Sequence, residues 1–172
     1  MSATSEANEI PTPTCVGYDP SMYPYKPEKL PELYSACGRQ DAAEVARLLA
    51  QPDIDVNEKS PGGEWTAFMA ACYRRNSACI RLLLADARVK LSEPDNIGRL
   101  PLEQLMFNDD VTNIKWWIAS GREMDLKSNR ITGAKMKHDK MTQTVIAPLL
   151  DRFEADPDQV RREVRAEFGY TE

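Results

Sequence analysis

The chain has 172 residues, a net charge of -5 and a pI near 5.1. Hydrophobic residues make up 42% and charged residues 28%, the balance of one soluble globular domain. The acidic balance argues against a phosphate-binding surface as the default, and no run of about 18 apolar residues is present to cross a membrane.

The amino-terminal stretch MSATSEANEIPTPT has no basic region and no apolar core, so the expected location is intracellular and cytoplasmic. Residues 1–28 carry Pro11, Pro13, Pro20, Pro24 and Pro27 among Ser, Thr and Glu, without sustained periodicity. Such a segment buries too little apolar area to offset its ordering entropy, and it is read as a flexible tail. Tyr18, Met22, Tyr23 and Tyr25 admit two readings: packing on the chain's own domain, or a short docking motif.

Three segments then repeat: LYSACGRQDAAEVARLL from Leu33, FMAACYRRNSACIRLLL from Phe68 and LEQLMFNDDVTNIKWWI from Leu102. Leu48, Leu83 and Trp117 occupy matching positions, 35 and 34 residues apart. Each segment predicts two short helices. Leu33, Ala36 and Cys37 form the buried stripe of the first helix, and Val45, Leu48 and Leu49 that of the second. Phe68, Ala71 and Cys72, then Ile80, Leu83 and Leu84, repeat the pattern. Small residues in the first helix let neighbours stack closely, and each pair needs a neighbour to cover its open face.

The connecting loops carry Asp55-Val56-Asn57 and Asp95-Asn96-Ile97-Gly98-Arg99-Leu100-Pro101-Leu102. These resemble the DVN loop and the D-x-x-G-x-T-P-L helix entry of ankyrin repeats, whose period is about 33 residues. Leu100 stands at the usual Thr and Glu103 at the usual His; Trp65-Thr66-Ala67-Phe68 is the equivalent entry of the second repeat, with Thr66 expected to cap its helix. The expected fold is therefore all-α, an ankyrin-repeat solenoid of stacked helix pairs with protruding loops over residues 29–155.

A fourth unit is more divergent. Thr132 falls near the entry position, a polar first helix is expected around Ala134 to Lys140, and Pro148 should kink the second. It reads as a capping repeat. Residues 156–172 are expected to form a closing helix and tail: Asp156 as N-cap, Pro157 at the first helical position, Gln159 completing a capping box, Val160, Val164 and Phe168 as its stripe, and Gly169 as C-cap. LLDRFEADPDQVRREVRAEFG resembles the closing segment of some ankyrin proteins of microbial eukaryotes.

Catalytic chemistry finds little support. Cys15, Cys37, Cys72 and Cys79 form no CxxC pair, and His138 is the single histidine, which disfavours a zinc site, a Cys/His pair or a Ser/His/Asp triad. The cysteines read as buried thiols. Pro61-Gly62-Gly63 is too short to cradle phosphate and reads as a loop tip, and Asp109-Asp110 as a solvated turn. No enzymatic activity, metal or cofactor is expected.

The ankyrin resemblance implies a binding surface made of loop tips and the exposed side of the first helices. Carried over by alignment, it marks Arg39, then Trp65, Tyr73 and Arg74, then Asn96, Arg99, Phe107 and Asn108. Trp, Tyr, Phe and Arg in that set are the residue types enriched at binding hot spots. The leading expectation is a monomeric, non-catalytic adaptor for a partner protein. The alternative is a subunit of a larger assembly that contacts nucleic acid through the basic 130–140 segment, with Arg130, Lys135, Lys137 and Lys140 against Asp139.

Overall fold

The helices of this chain are short, and that sets the architecture. An isolated helix below about 12 residues is marginal in water, so pieces this short form only where they bury one another. The computed structural model describes residues 30–136 and 140–170. The tail at 1–28, Cys15, Lys137, His138 and Asp139 lie outside the described residues. The described residues are all-helical, with no strand. The elements are α1 (Glu32–Gly38), α2 (Ala42–Leu49), α3 (Ala67–Arg74), α4 (Ser77–Ala85), α5 (Pro101–Phe107), α6 (Val111–Ser120) and α7 (Asn129–Lys135). A π-helical turn (Thr142–Ile146), α8 (Ala147–Ala155) and α9 (Pro157–Glu167) complete the chain. Among the described residues no helix is long and apolar enough to cross a membrane.

The helices form two layers. In the inner layer α1 packs on α3, α3 on α5 and α5 on α7; in the outer layer α2 packs on α4, α4 on α6 and α6 on α9. Hairpin partners α1/α2, α3/α4 and α5/α6 join the layers. The predicted stripes are the buried ones: Leu33, Ala36 and Cys37 on α1, Val45 and Leu48 on α2, Ile80, Leu83 and Leu84 on α4. Leu49 is only partly buried. Helix α3 is buried from Ala67 through Cys72, because it has neighbours on both sides in its own layer and α4 beneath. Its small side chains are what allow that close approach.

Each hairpin turns by the same device. Asp41, Asn76 and Asp110 cap α2, α4 and α6, and their side chains accept the N–H of Glu44, Cys79 and Asn113 at 3.0, 3.0 and 3.2 Å. Asp110 is thus a buried cap, not a solvated turn residue. The residue before each cap, Gln40, Arg75 or Asp109, has a φ of 63°, 56° or 54°. A side chain in this left-handed region costs about 1–2 kcal/mol. Gln40 bonds only through its main chain: its N–H donates to the Cys37 carbonyl at 3.0 Å and its carbonyl accepts from Asn76 Nδ2 at 3.3 Å. Gln40→Gly therefore removes strain without removing a contact, and should raise unfolding stability by about 0.5–1 kcal/mol after the unfolded-state entropy of glycine is subtracted. A urea titration followed by circular dichroism measures it; no gain in midpoint would mean the strain is absent.

The second and third units are also stapled by arginine. Arg88 donates to the carbonyls of Leu49 and Gln51 at 2.6 and 3.0 Å, and Arg122 to those of Val89 and Asp86 at 2.6 and 2.8 Å. The two residues are 34 positions apart, one repeat. Each guanidinium satisfies carbonyls left open at the end of the preceding unit's second helix or just beyond it.

The carboxy-terminal part departs from the expected boundaries. Helix α7 starts at Asn129, capped by Ser128, whose hydroxyl accepts from the Ile131 N–H at 3.3 Å; Thr132 lies inside the helix rather than at its entry. Pro148 lacks an N–H and sits in the first turn of α8, just after the π-helical turn that ends at Ile146. Asp156 caps α9 by accepting from the Gln159 N–H at 2.9 Å, with Pro157 in the first turn, and Gly169 closes it at φ 79°. The capping box is only half made: Gln159 Nε2 donates to Glu163 at 3.0 Å instead of reaching back.

Candidate functional site

The second helix entry begins at a loop whose tip is a tight turn. The Ser60 N–H donates to the Trp65 carbonyl at 2.9 Å, and the Trp65 N–H to Ser60 Oγ at 3.1 Å. Gly62, with φ 75°, makes the turn, and a Cβ on Gly63 would meet Trp65 Cδ1 at 3.2 Å, so the indole lies tightly over that glycine. Thr66, fully in the core, accepts the Met69 N–H at 3.2 Å and starts α3, as expected from its position. Trp65 is thereby fixed at the mouth of the inner layer.

Tyr73, two helical turns along α3, meets Trp65 edge-on with ring centroids 5.1 Å apart. The Arg99 guanidinium lies over the Trp65 ring at 5.5 Å, and that of Arg74 over the Tyr73 ring at 5.8 Å. Four of the marked residues therefore form one patch from one helix and two loops. Its aromatic members are not core: Tyr73 is 49% exposed, and Ile97 on the adjoining loop is 62% exposed.

The third loop is built around a buried carboxylate. Asp95 accepts from the N–H groups of Ile97 and Arg99 at 3.1 and 2.8 Å, and from Arg99 Nε at 2.7 Å. Burial pushes the Asp95 carboxyl up, but the Arg99 N–H, the Arg99 guanidinium and the Ile97 N–H outweigh it and hold the group below its ordinary value. A depressed folded-state value means protons bind the unfolded chain more readily. The stability from Asp95 is then fully present above about pH 4 and lost as pH falls through the folded value. Asp95→Asn should cost about 2 kcal/mol at pH 7, since it leaves a charged donor unpaired in the loop. It should also flatten the loss of stability between pH 5 and pH 3. Urea titrations of both proteins across that range check this; equal acid sensitivity would assign the effect to other carboxylates.

The two loops interlock. Asn96 donates from its N–H to the Gly63 carbonyl at 3.1 Å and from Nδ2 to the Gly62 carbonyl at 2.8 Å. Asn108 Nδ2 lies 3.4 Å from the carbonyls of Cys72 and Tyr73. These two amides hold the patch in shape. Phe107 is 66% exposed on the last residue of α5. Arg39 follows α1 and is exposed, and among the described residues it forms no hydrogen bond, ion pair or ring contact with the Trp65 cluster.

Elsewhere, two cations of the basic segment are paired with carboxylates. Arg130 pairs with Glu103 at 2.8 Å, and Lys135 with Asp151 and Glu154 at 2.8 and 3.3 Å. Cys37, Cys72 and Cys79 are buried, and no group of His, Cys, Asp and Glu among the described residues is arranged to hold a metal. The Cys79 thiol beside it, together with burial, pushes Cys37 up, and burial pushes Cys72 up, which favours the protonated thiol at both.

Sequence reasoning missed the outer face. There Trp116 stacks on Phe168 with centroids 4.0 Å apart and planes 6° apart, and Arg81 lies over its other side at 4.3 Å. A partly exposed Trp116 is what the sequence suggests; its partners come from helices 35 residues before and 52 residues after it, which no local pattern reveals. No family model matches the chain, and no curated protein matches it.

Proposed function

We propose that this chain is a non-catalytic protein-binding module, an ankyrin-type solenoid of stacked helix pairs that grips a partner protein with its inner face and loop tips. The alternating layers, the hairpin turns that recur at 34 and 35 residues and the repeat-spaced arginine staples support the solenoid reading. The observation that carries the binding reading is the patch of Trp65, Tyr73, Arg74 and Arg99. These residues touch one another, remain partly or largely exposed and are anchored by interlocked loops.

Rigid aromatic rings with cationic neighbours offer large contact area at low ordering cost, which suits a protein interface. The ion pairs at Arg130 and Lys135 weigh against nucleic acid as the partner, because they remove two of the charges that phosphate binding would use. The test compares the intact chain with the Trp65→Ala and Tyr73→Ala variants as bait in native extract. A partner retained by the intact chain and lost from both variants is the expected result; identical retention on all three overturns the assignment.

A further inference from the structure

We propose that the outer groove between α4, α6 and α9 is a second docking site, which takes an acidic amphipathic helix of a partner protein. The groove has a volume of about 1340 Å³, above the range of about 300–1,000 Å³ typical of small-molecule pockets. Its floor is made of small and apolar side chains, Ala78, Leu82, Ala85, Ala119 and Ala166, over which a helix can lie close. Its rim carries Arg81, Arg122, Arg162 and Arg165, and no carboxylate among the described residues lines it.

Four guanidinium groups around one groove are conspicuous on a chain of net charge -5. Four carboxylates nearby in sequence are engaged with other cations. Asp86 pairs with Arg88 at 2.7 Å, Glu167 with Lys115 at 2.6 Å and Asp158 with Arg161 at 3.0 Å, while Glu163 pairs with Arg152 at 2.5 Å. Arg122 and Arg165 are partly used, donating to main-chain carbonyls. Arg81 lies on the Trp116 ring, which fixes its position while leaving its edge open, and Arg162 has no partner among the described residues. The groove therefore lacks negative charge that a ligand would supply.

The floor decides which ligand. Alanine and leucine side chains give nothing to a sugar-phosphate backbone, and the acidic surface elsewhere repels a long polyanion. The walls are helices, and no strand edge among the described residues is offered for an extended peptide to pair with. A helix with apolar anchors at i, i+3 or i+4 and i+7, flanked by Asp or Glu, satisfies both floor and rim. The site lies on the layer opposite the Trp65 patch, so the two assignments stand or fall separately.

The experiment selects binders to the full chain from a displayed library of 16-residue helix-forming peptides, then measures the enriched peptides by fluorescence polarisation. Expected are acidic peptides with the apolar spacing above. Their affinity should fall at least tenfold with Arg81→Gln and Arg162→Gln together, vanish with Ala85→Trp, which fills the floor, and stay unchanged with Trp65→Ala. Arg81 lies on the Trp116 ring, and Arg162 forms no hydrogen bond or ion pair among the described residues, so the double variant should keep the fold, which circular dichroism verifies. No enrichment, enrichment of non-acidic sequences, an unchanged affinity in the double variant, or tighter binding of a single-stranded RNA 12-mer than of any peptide would each overturn the proposal.

Discussion

Trp117→Ala should lower unfolding stability by about 3–5 kcal/mol, the largest effect expected of any single substitution in this chain. The indole is 1% exposed at the centre of α6, the largest of the fully buried side chains. It meets Phe68 of α3 edge-on, with centroids 5.1 Å apart, and so joins the outer layer of one unit to the inner layer of another. Its Nε1 donates to the Glu123 carbonyl at 3.1 Å and thereby fixes the loop that follows α6. Alanine removes the transfer energy, the edge contact and that hydrogen bond, and leaves a cavity between helices too short to collapse into it independently. Against a total of about 5–15 kcal/mol for a native domain, the loss brings the chain to the margin of folding. Trp117→Phe keeps most of the volume and should cost only about 1–2 kcal/mol, chiefly the unmet Glu123 carbonyl. Urea denaturation of the three proteins decides. A Trp117→Ala loss below about 1 kcal/mol would mean the two layers do not depend on this contact.

The second large effect is on binding and not on stability. Trp65→Ala and Tyr73→Ala should each weaken the partner complex by at least about 2 kcal/mol, roughly 30-fold in Kd, as hot-spot aromatics do. Tyr73 is 49% exposed, so its removal should change unfolding stability by less than about 1 kcal/mol. The two rings touch, so the effects should not add: a double-mutant cycle on the complex is expected to show coupling of about 0.5–1.5 kcal/mol. Arg99→Ala is a poorer probe, because Arg99 also closes the Asp95 loop and its loss disturbs the patch and the fold together. Full affinity in both aromatic variants, measured by calorimetry with the captured partner, would move the binding surface elsewhere.

The sequence pattern reached far into the fold. The apolar stripes of the first two units, the Thr66 and Asp156 caps and the Gly169 stop were readable because each depends on residues within about one turn of one another. The candidate patch was readable in part for the same reason: a repeat of fixed length tells which positions share a face. Its cohesion was not. That Asn96 spends its amide on Gly62, and that Asp95 is a buried anchor and not a solvated loop residue, follow from contacts 34 residues apart and from burial. The boundaries of α7 were misplaced because Ser128 competes with Thr132 as a cap, and propensity alone does not choose between two good caps.

What the sequence by itself determined, then, is the inventory: short amphipathic helices in pairs, their spacing and the chemistry of their exposed faces. Local hydrogen bonds and periodicity suffice for those. Which faces meet was decided only by the tertiary structure. Helix α9 packs on α6, brings Phe168 onto Trp116 and sets Arg162 and Arg165 across from Arg81, creating a groove that no single segment encodes. The physical reason is that a helix as short as these has little stability of its own, so its place, and every site it helps to build, is settled by the neighbours that bury it.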